Sequence, residues 1–365
     1  MKDKILTLNL KDNYRIIAIS DVHAHLDLFE SLLDLVALKA DDHLIIIGDF
    51  INKGPDSLPT LHKMMALKEQ RPNTYILKGN HEFFICKHMF QDGHNQKFLN
   101  YLKDQPFQNI VEETTIHGGF DLHKCEQMSD LVAWSMTHYK AEYEFMHHLP
   151  VLAYADDLIF VHGGYHKDMD VAQHEAQLLK YDDFNHLSEV NDRTVIVGHW
   201  PTANLRQNRN SNTPFFNDEK HIITIDGGIG VKSSGELNAL IIEKKAGKQK
   251  ISYQQSNTFK TITIKRTHDF TLEDKCFINY PYFAVELIQQ GPTMTLCRHI
   301  HSGKELSIFN CLLKEVDGKT QVITTYINHF LNLKVGEEVS LVRAYKDCAL
   351  VKHKDEFGWV LTQQI

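Results

Sequence analysis

The chain has 365 residues, which is long for a single small core and predicts one large and one small domain. Hydrophobic residues make up 42% and charged residues 24%, which excludes a disordered or collagen-like chain. The net charge is −8 and there is no block of Lys and Arg, so the sequence does not predict binding of bulk nucleic acid. No apolar run could span a membrane, the amino terminus lacks a signal-peptide core and the six cysteines are scattered, so we predict a cytoplasmic protein with reduced thiols and no membrane partner.

The first two thirds of the chain alternate β-branched runs with helical patterns. Strands of the buried type are predicted at residues 14–19, 43–47, 74–77, 158–161, 194–197, 222–225 and 237–242. Apolar residues at three- and four-residue spacing predict helices at 28–38 and 57–68. Alternation of this kind is typical of an α/β domain with parallel strands.

Two segments depart from this rhythm. Residues 83–149 are rich in Phe, Tyr, His and Met at helical spacing, and we interpret them as an inserted helical cap. Beyond about residue 253, strand-like segments at 284–288, 321–326, 338–344 and 348–352 are separated by glycines and predict an all-β domain. We therefore place the domains at residues 1–255 and 268–365.

Polar residues follow the predicted strands at their ends. These residues are Asp21, Asp49, Asn80, His162, His199 and Asp226. Because ligands bind at the carboxyl ends of the strands in such sheets, we expect these side chains on one rim. The same segments also have interpretations without a ligand. Asp21 could lie in a turn, Asn80 or the nearby Ser57 could cap a helix, and a histidine such as His162 could be a core residue.

The order of five short motifs resembles the calcineurin-like metallophosphoesterases. The motifs are Asp21-Val22-His23, Gly48-Asp49 with Lys53-Gly54, Gly79-Asn80-His81-Glu82, His162-Gly163-Gly164 and Gly198-His199. The resemblance covers about residues 13–243 and points to the phosphoprotein-phosphatase branch, which includes bacterial Ser/Thr protein phosphatases and dinucleoside tetraphosphatases. It implies a β-sandwich flanked by helices, with a helical cap. The Gly54-Pro55 sequence is more similar to the tetraphosphatase group.

The resemblance also implies a set of metal ligands. Asp21 and His23 would bind a first ion and Asp49 would bridge to a second, whose other ligands would be Asn80, His162 and His199. Carboxylate and imidazole ligands suit Mn²⁺, Fe or Zn²⁺ better than Ca²⁺, and we expect two divalent ions, with Mn²⁺ preferred. In the family, two such ions generate a hydroxide that attacks phosphorus.

Three further residues are implied in catalysis and substrate binding. His81 would protonate the leaving oxygen, and Asn52 stands where protein phosphatases have an acidic partner for that histidine. Lys53 stands where the family usually has an arginine, and it would be both a catalytic and a substrate-binding cation.

A second phosphate-binding arginine is also implied. The candidates are Arg193, Arg206 and Arg209, and we select Arg206. Ala24 replaces a glycine usual in the first motif, which would cost on the order of 1 kcal/mol if the backbone there has positive φ.

The carboxyl-terminal residues carry a second resemblance. Residues 333–341 and 357–360 are similar to the opening and closing strands of a bacterial SH3-like module, which would cover 329–365 and could bind a peptide partner. Together the resemblances imply a metal-dependent hydrolase that acts on a phosphorylated Ser/Thr protein or on a dinucleoside polyphosphate. The alternative is a catalytically decayed domain that acts as a scaffold through its SH3-like module, an idea motivated by Ala24, Asn52 and Lys53.

Overall fold

The structure is a computed structural model that describes residues 4–92, 94–104, 108–171, 173–207, 209–268 and 276–365. The chain divides into two compact units. The first contains Met1–Pro201, Pro214–Val231 and Glu236–Asn257, and the second contains Thr202–Thr213, Lys232–Gly235 and Thr258–Ile365. The domain limits predicted from the sequence, 1–255 and 268–365, stay predictions, and residues 269–275 of the second lie outside the described residues.

Within its described residues, the first unit contains two mixed β-sheets. Its strands are β1 (Ile5–Thr7), β2 (Tyr14–Ile19), β3 (His43–Ile47), β4 (Thr74–Leu77), β5 (Leu152–Ala155), β6 (Leu158–Val161), β7 (Thr194–Val197), β8 (Phe215–Asn217), β9 (Ile222–Thr224), β10 (Leu237–Lys245) and β11 (Lys248–Ser256). One sheet has the order β11-β10-β2-β3-β4 and the other the order β1-β5-β6-β7-β9-β8. Strands β2, β3 and β4 are parallel neighbours, as are β6, β7 and β9.

Side-chain alternation along β2 explains why the two sheets pack as a sandwich. Ile16 and Ala18 pack in the cluster that contains Ile45 from the same sheet and Phe160 from the other sheet. Ile17 and the other alternate residues pack instead with the helices. Strands that are buried on both faces read as continuous apolar runs, which is why these strands were visible in the sequence.

The helices of the first unit flank the sandwich. They are α1 (Leu26–Leu35), α2 (Ser57–Gln70), α3 (Asn80–Phe90), α4 (Gln96–Lys103), α5 (Ile110–His117), α6 (Met128–His138), α7 (Lys140–His147), α8 (Glu175–Leu179) and α9 (Phe184–Leu187). Helices α3 to α7 form the predicted helical insertion, and their apolar residues join the core that covers the β2-β3-β4 sheet. The predicted β-sandwich flanked by helices is therefore confirmed.

Neither of the helix caps considered as alternatives, at Asn80 and Ser57, is formed by the side chain named. Helix α3 has Gly79 at its N-cap position and begins at Asn80, so the Asn80 side chain is not a cap. The Ser57 hydroxyl accepts a hydrogen bond from the backbone N–H of Asn52 at 3.1 Å instead of capping α2. The first N–H groups of α2 donate to Glu113 of the insertion, at 2.7 Å from both Ser57 and Leu58. The carboxylate of Glu113, which is distant in the sequence, therefore caps α2 in place of the Ser57 hydroxyl.

The second unit is all-β in the part of the chain that the structure describes. Its strands are β12 (Lys260–Thr263), β13 (Phe277–Ile278), β14 (Val285–Gln290), β15 (Met294–His299), β16 (Glu305–Phe309), β17 (Leu313–Val316), β18 (Lys319–Val322), β19 (Tyr326–Ile327), β20 (Glu338–Ala344), β21 (Cys348–His353) and β22 (Glu356–Leu361). They form small antiparallel sheets, with the orders β12-β20-β21-β22 and β14-β15-β16 and the pairs β13-β19 and β17-β18. The segment predicted as one strand at 321–326 is divided between β18 and β19.

The closing strands of this unit pack on a core around Trp359, which is fully buried. The likeness of β20 to β22 to an SH3-like module remains a prediction. Across the described ranges, no helix is both long and apolar enough to cross a membrane.

Candidate metal centre

The polar residues predicted on one rim follow strands of both sheets. Asp21 and Asp49 come two residues after β2 and β3, and Asn80 begins α3 three residues after β4. His162 directly follows β6, and His199 follows β7. Neighbouring parallel strands end at nearly the same height in each sheet: Ile19 of β2 pairs with Ile46 of β3, and Val197 of β7 pairs with Thr224 of β9. The structure brings Asp49, His162 and His199 together at this rim.

Two groups of side chains converge and share the Asp49 carboxylate. The ligand atoms of His23, Asp49 and His81 lie within 4.8 Å of one another, as do those of Asp49, His162 and His199. The Oδ2 atom of Asp49 lies 3.2 Å from His162 Nε2 and 4.0 Å from His23 Nε2. Asp21 lies beside the first group, with its Oδ1 3.7 Å from His23 Nε2. The carboxylate predicted to bridge two ions therefore lies between the two groups.

The ring nitrogens of three histidines are oriented as metal ligands require. The Nδ1 atom of His162 lies 2.7 Å from the carbonyl oxygen of Ile47, and Nδ1 of His23 lies 3.4 Å from that of Ile51. Donation of Nδ1–H to these carbonyls leaves each Nε2 with a lone pair that faces the carboxylates. His199 is arranged the other way around, because its Nε2 contacts Asp182 at 2.8 Å.

The amide of Asn80 lies among these same atoms. One of its two terminal amide atoms, oxygen or nitrogen according to the orientation of the amide, lies 3.2 Å from Asp49 Oδ2, 3.1 Å from His162 Nε2 and 2.9 Å from His199 Nδ1. With the amide nitrogen in this position, Asn80 donates to its neighbours; with the oxygen there, all four atoms present lone pairs. The second arrangement needs a positive charge at the centre, either a proton on His162 or a metal ion, and a set of amide oxygen, imidazole nitrogen and carboxylate ligands fits a divalent transition metal.

Electrostatics at the centre also favour a cation. Burial raises the pKa of Asp21 to about 6, and the Asp49 carboxylate adds to that rise. Burial and the nearby Asp21 raise the pKa of Asp226 well above its ordinary value. Burial lowers the pKa of His162, but Asp49 and Asp21 outweigh it and raise that pKa to about 10. The carboxylates thus hold a proton on His162, and a metal ion would replace that proton.

The backbone that presents these groups is left-handed at several residues. The φ values are +55° at Asp21, +45° at His23, +52° at Asp49 and +63° at His199. Such conformations cost non-glycine residues free energy and occur often at functional sites. Ala24 has φ +57°, so the positive φ considered for this position is present.

Close backbone approach makes two glycines necessary. A Cβ on Gly79 would lie 2.2 Å from Asp49 Oδ1, and a Cβ on Gly198 would lie 2.3 Å from Asp21 Oδ2. The space at Gly198 lets the backbone N–H of His199 donate to Asp21 Oδ2 at 2.9 Å. The glycines of the two motifs therefore set the positions of the carboxylates.

Glu82 positions the metal centre, a role that was not predicted from the sequence. It is fully buried, and its carboxylate accepts hydrogen bonds from the backbone N–H groups of Asp49 at 2.9 Å, Phe50 at 3.0 Å, Ile51 at 3.3 Å and Gly79 at 2.8 Å. One side chain thus holds the loop that carries Asp49 against the start of α3. The sequence signal was its place three residues after the N-cap position, where a Glu commonly folds back onto the backbone.

His81 and its partner Asn52 lie beside the shared carboxylate. His81 Nε2 is 4.0 Å from Asp49 Oδ2, and the Asn52 amide nitrogen lies 3.2 Å from His81 Nδ1. The amide orientation is fixed, because Asn52 Oδ1 accepts from the backbone N–H of Ile110 at 2.9 Å. Nδ1 of His81 is therefore an acceptor, and the ring proton lies on Nε2. Burial, with the charge of Lys53 among other effects, lowers the pKa of His81 to about 4.

The two predicted substrate-binding cations lie in different units. Lys53 belongs to the first unit, and its Nζ is 3.5 Å from His23 Nε2, so the structure brings it to the centre. Arg206 belongs to the second unit, where its guanidinium donates to the Ser211 carbonyl at 3.1 Å and to the Thr213 carbonyl at 2.8 Å. The role of Arg206 in phosphate binding stays a prediction.

The helix-flanked sandwich and the carboxylate, amide and imidazole groups at its strand ends define a metallophosphoesterase type of domain. The model of the calcineurin-like phosphoesterase family matches residues 14–225, and the chain belongs to that family. Members of the family use divalent metal ions, and the two convergent groups are candidate sites for them.

Proteins similar to this chain come from several organisms. A symmetrical bis(5′-nucleosyl)-tetraphosphatase of Wigglesworthia glossinidia brevipalpis is 42% identical over 133 residues, which are 31% of this chain and 47% of that protein. One from Dechloromonas aromatica strain RCB is 33% identical over 96 residues, 26% of this chain and 32% of that protein. The structure of a serine/threonine phosphatase from Saccharomyces cerevisiae aligns with a TM-score of 0.46 at 14% identity, over 70% of this chain and 84% of that one.

The chain therefore spans between about a third and a half of the length of the curated relatives that it matches.

Proposed function

We infer that the chain is a metal-dependent hydrolase of phosphoric anhydrides whose substrate is a dinucleoside polyphosphate. The observation that carries this proposal is the convergence of two ligand groups on the buried Asp49 carboxylate. All the ligands implied by the family are retained here, and a domain that had decayed to a scaffold would have no need to keep them.

The proposed ligands are divided between two ions. Asp21, His23 and Asp49 would hold the first, and the second would take Asp49 together with Asn80, His162 and His199. When bound, the two ions would supply Lewis acidity and a nucleophile at neutral pH. We propose Mn²⁺ for both positions, with Fe and Zn²⁺ as alternatives that suit the same ligands.

The chain's own residues would act on the phosphoryl group and on the leaving group. The Lys53 ammonium, 3.5 Å from His23 Nε2, would stabilise charge that develops on the phosphoryl oxygens. His81 would direct its Nε2–H towards the leaving oxygen, because Asn52 occupies Nδ1 from the other side. Asn52 is thus a positioning residue that fixes the His81 tautomer.

This tautomer favours an anhydride over a phosphoserine or phosphothreonine ester. An alkoxide leaving group must be protonated as it departs, and a neutral imidazole held by an amide donor is a weak acid. A nucleoside polyphosphate leaves as a stable anion and needs only a hydrogen bond. The relatives named as bis(5′-nucleosyl)-tetraphosphatases support the same choice.

Two further features belong to the proposal. We propose that the enzyme acts in the cytoplasm, where nucleotide substrates are available. We also propose that β20 to β22 form an SH3-like module that binds a peptide partner, since these strands form an antiparallel sheet of the small all-β unit.

The test is Mn²⁺-supported hydrolysis of diadenosine tetraphosphate and of a phosphoserine peptide by the full chain. Asp49→Asn removes the shared charge and is the inactive control, and His62→Asn, at an exposed site outside the cluster, is the active control. Turnover of the dinucleotide that is lost in Asp49→Asn supports the proposal. Preferential turnover of the phosphopeptide overturns the substrate choice, and activity that survives Asp49→Asn overturns the metal centre.

A further inference from the structure

A cavity of about 360 Å³ opens beside the candidate metal centre within the first unit. One end is lined by Asn52, Asn80 and His81, and the wall includes Phe84 and Tyr101. Its volume falls in the range of roughly 300–1,000 Å³ that is usual for small-molecule sites. Only the residues at the polar end have roles in the proposed hydrolysis, and the aromatic wall has none.

Both aromatic side chains of the wall are exposed. Phe84 is 41% and Tyr101 is 44% exposed. The Phe98 ring is stacked nearly parallel to both His88 and Tyr101. The Phe84 ring stands at 83–86° to all three of these rings, and its centroid lies 4.9–5.6 Å from theirs. Contacts of this kind fix the orientation of the Phe84 ring. A rigid exposed ring is a surface on which a planar ligand can stack.

Asn109 lines the same cavity and carries a polar atom without a hydrogen-bond partner among the described residues. It is 2% exposed, and its Oδ1 accepts from the backbone N–H groups of Val111 and Glu112, both at 3.1 Å, which caps α5. Its amide nitrogen is buried and has no hydrogen-bond partner in the described part of the chain. Because capping holds the oxygen, the side chain cannot turn to satisfy the nitrogen. A ligand with a hydrogen-bond acceptor would do so.

Charge in the lining is compatible with a ligand that carries phosphate. Lys180 lines the cavity and is exposed. The cavity thus combines an aromatic wall, a buried amide donor and a cation with the residues of the metal centre. A nucleoside 5′-phosphate has the matching parts: a planar base with ring acceptors and an anionic phosphate.

We propose that this cavity is the nucleobase subsite of the enzyme, in which Phe84 stacks on the base and Asn109 Nδ2 donates to a base acceptor. The proposal rests on the proposed function, because the phosphate of the bound nucleoside must reach the metal centre. A phosphopeptide, which has no base, would gain nothing from this subsite. The subsite therefore selects nucleotides among phosphoric esters and anhydrides.

Calorimetric titration of the full chain with AMP and with inorganic phosphate, in the presence of Mn²⁺, tests the subsite without any requirement for turnover. AMP is expected to bind at least tenfold more tightly than phosphate. Phe84→Ala should weaken AMP binding by roughly 5- to 150-fold, the span that base stacking on an aromatic ring supports, and leave phosphate binding unchanged. Phe216→Ala, which removes an equally exposed ring, 41%, outside this cavity, is the matched control.

Asn109→Asp is the second variant. The aspartate keeps an oxygen to cap α5 but replaces the donor with an acceptor, so AMP binding should weaken while thermal stability is kept. Equal affinity for AMP and phosphate, or AMP binding within twofold of wild type in both variants, would overturn the subsite. Because binding is measured, base-dependent binding by a protein that hydrolyses neither substrate would reject the proposed function and keep the subsite.

Discussion

The buried carboxylate of Glu82 accepts a hydrogen bond from the backbone N–H of Asp49 at 2.9 Å. The same carboxylate also accepts from Gly79 at 2.8 Å, so it joins the loop after β3 to the start of α3. Asp49 is the group on which both ligand sets converge. Its position thus depends on a residue that would touch neither metal nor substrate.

Glu82→Gln is expected to lose both stability and activity. The amide nitrogen of glutamine is a donor that faces N–H donors, and each buried N–H left unpaired costs roughly 1–3 kcal/mol. Chemical denaturation should show a lower free energy of unfolding, and Mn²⁺ affinity should fall with it. Glu30→Gln, at an exposed carboxylate paired with Lys63, is the control and should match wild type. Wild-type metal affinity in Glu82→Gln would show that the loop does not depend on this carboxylate.

Asn52→Asp is expected to change the protonation of His81. The aspartate would present an acceptor to Nδ1, so the ring would carry a proton there, and an opposite charge this close raises a histidine pKa by about 1–3 units. The pKa of His81 should rise from about 4. With Nδ1–H held by the aspartate, Nε2 can donate only when the ring is protonated, so the alkaline limb of the rate–pH profile should follow the raised pKa of His81 to higher pH. Esters with poor leaving groups should gain relative to anhydrides. An unchanged profile and unchanged substrate ratio would contradict the assigned tautomer.

Ala24→Gly is expected to stabilise the protein. Ala24 has φ +57°, which costs alanine about 1–2 kcal/mol, while glycine adds some entropy to the unfolded chain, so the net gain should be about 0.5–1 kcal/mol. Thermal or chemical unfolding measures the gain. Ala66→Gly, inside helix α2, should instead destabilise the protein by roughly 1 kcal/mol. A loss of stability in Ala24→Gly would mean that the strain at this residue is absent.

Burial of His43 predicts a loss of stability at acid pH. Burial lowers the pKa of His43, so between that value and the ordinary pKa of about 6.5 the unfolded chain binds more protons than the folded chain. The contribution of this histidine to stability is therefore present above about pH 6.5 and is lost as the pH falls. His43→Leu should reduce the decrease in unfolding free energy between pH 7 and pH 5, whereas His123→Asn, at an exposed position of the 3-10 helix Leu122–Lys124, should not. Identical pH profiles for both variants would reject this origin.

Much of the fold was predictable because its strands are buried on both faces. The strands from Tyr14 to Ile19 and from His43 to Ile47 have the predicted limits, since continuous β-branched runs have few other solutions. Helix limits were less accurate. Helix α1 ends at Leu35 because Ala37 adopts φ +48°. An alanine in the sequence does not predict such a left-handed backbone conformation.

The candidate site was predictable where side chains follow strands, and less so where they act across the fold. Asp49 and His162 could be placed together because both follow buried strands. The roles of Glu82 and Glu113 depend on which distant backbone N–H groups the fold brings near them, and no local pattern reports that. Arg206 shows the converse limit, because residue type alone does not reveal that its guanidinium donates to the carbonyls of Ser211 and Thr213.

The most direct test of the central claim is the number of Mn²⁺ ions bound by each chain. The purified chain would be dialysed against saturating Mn²⁺, and the retained metal would be counted by inductively coupled plasma mass spectrometry. Two ions per chain are predicted for the wild type and for His62→Asn, and fewer for Asp49→Asn, because that variant loses the charge shared by both ligand groups. No retained metal in the wild type, or two ions per chain in Asp49→Asn, would contradict the account.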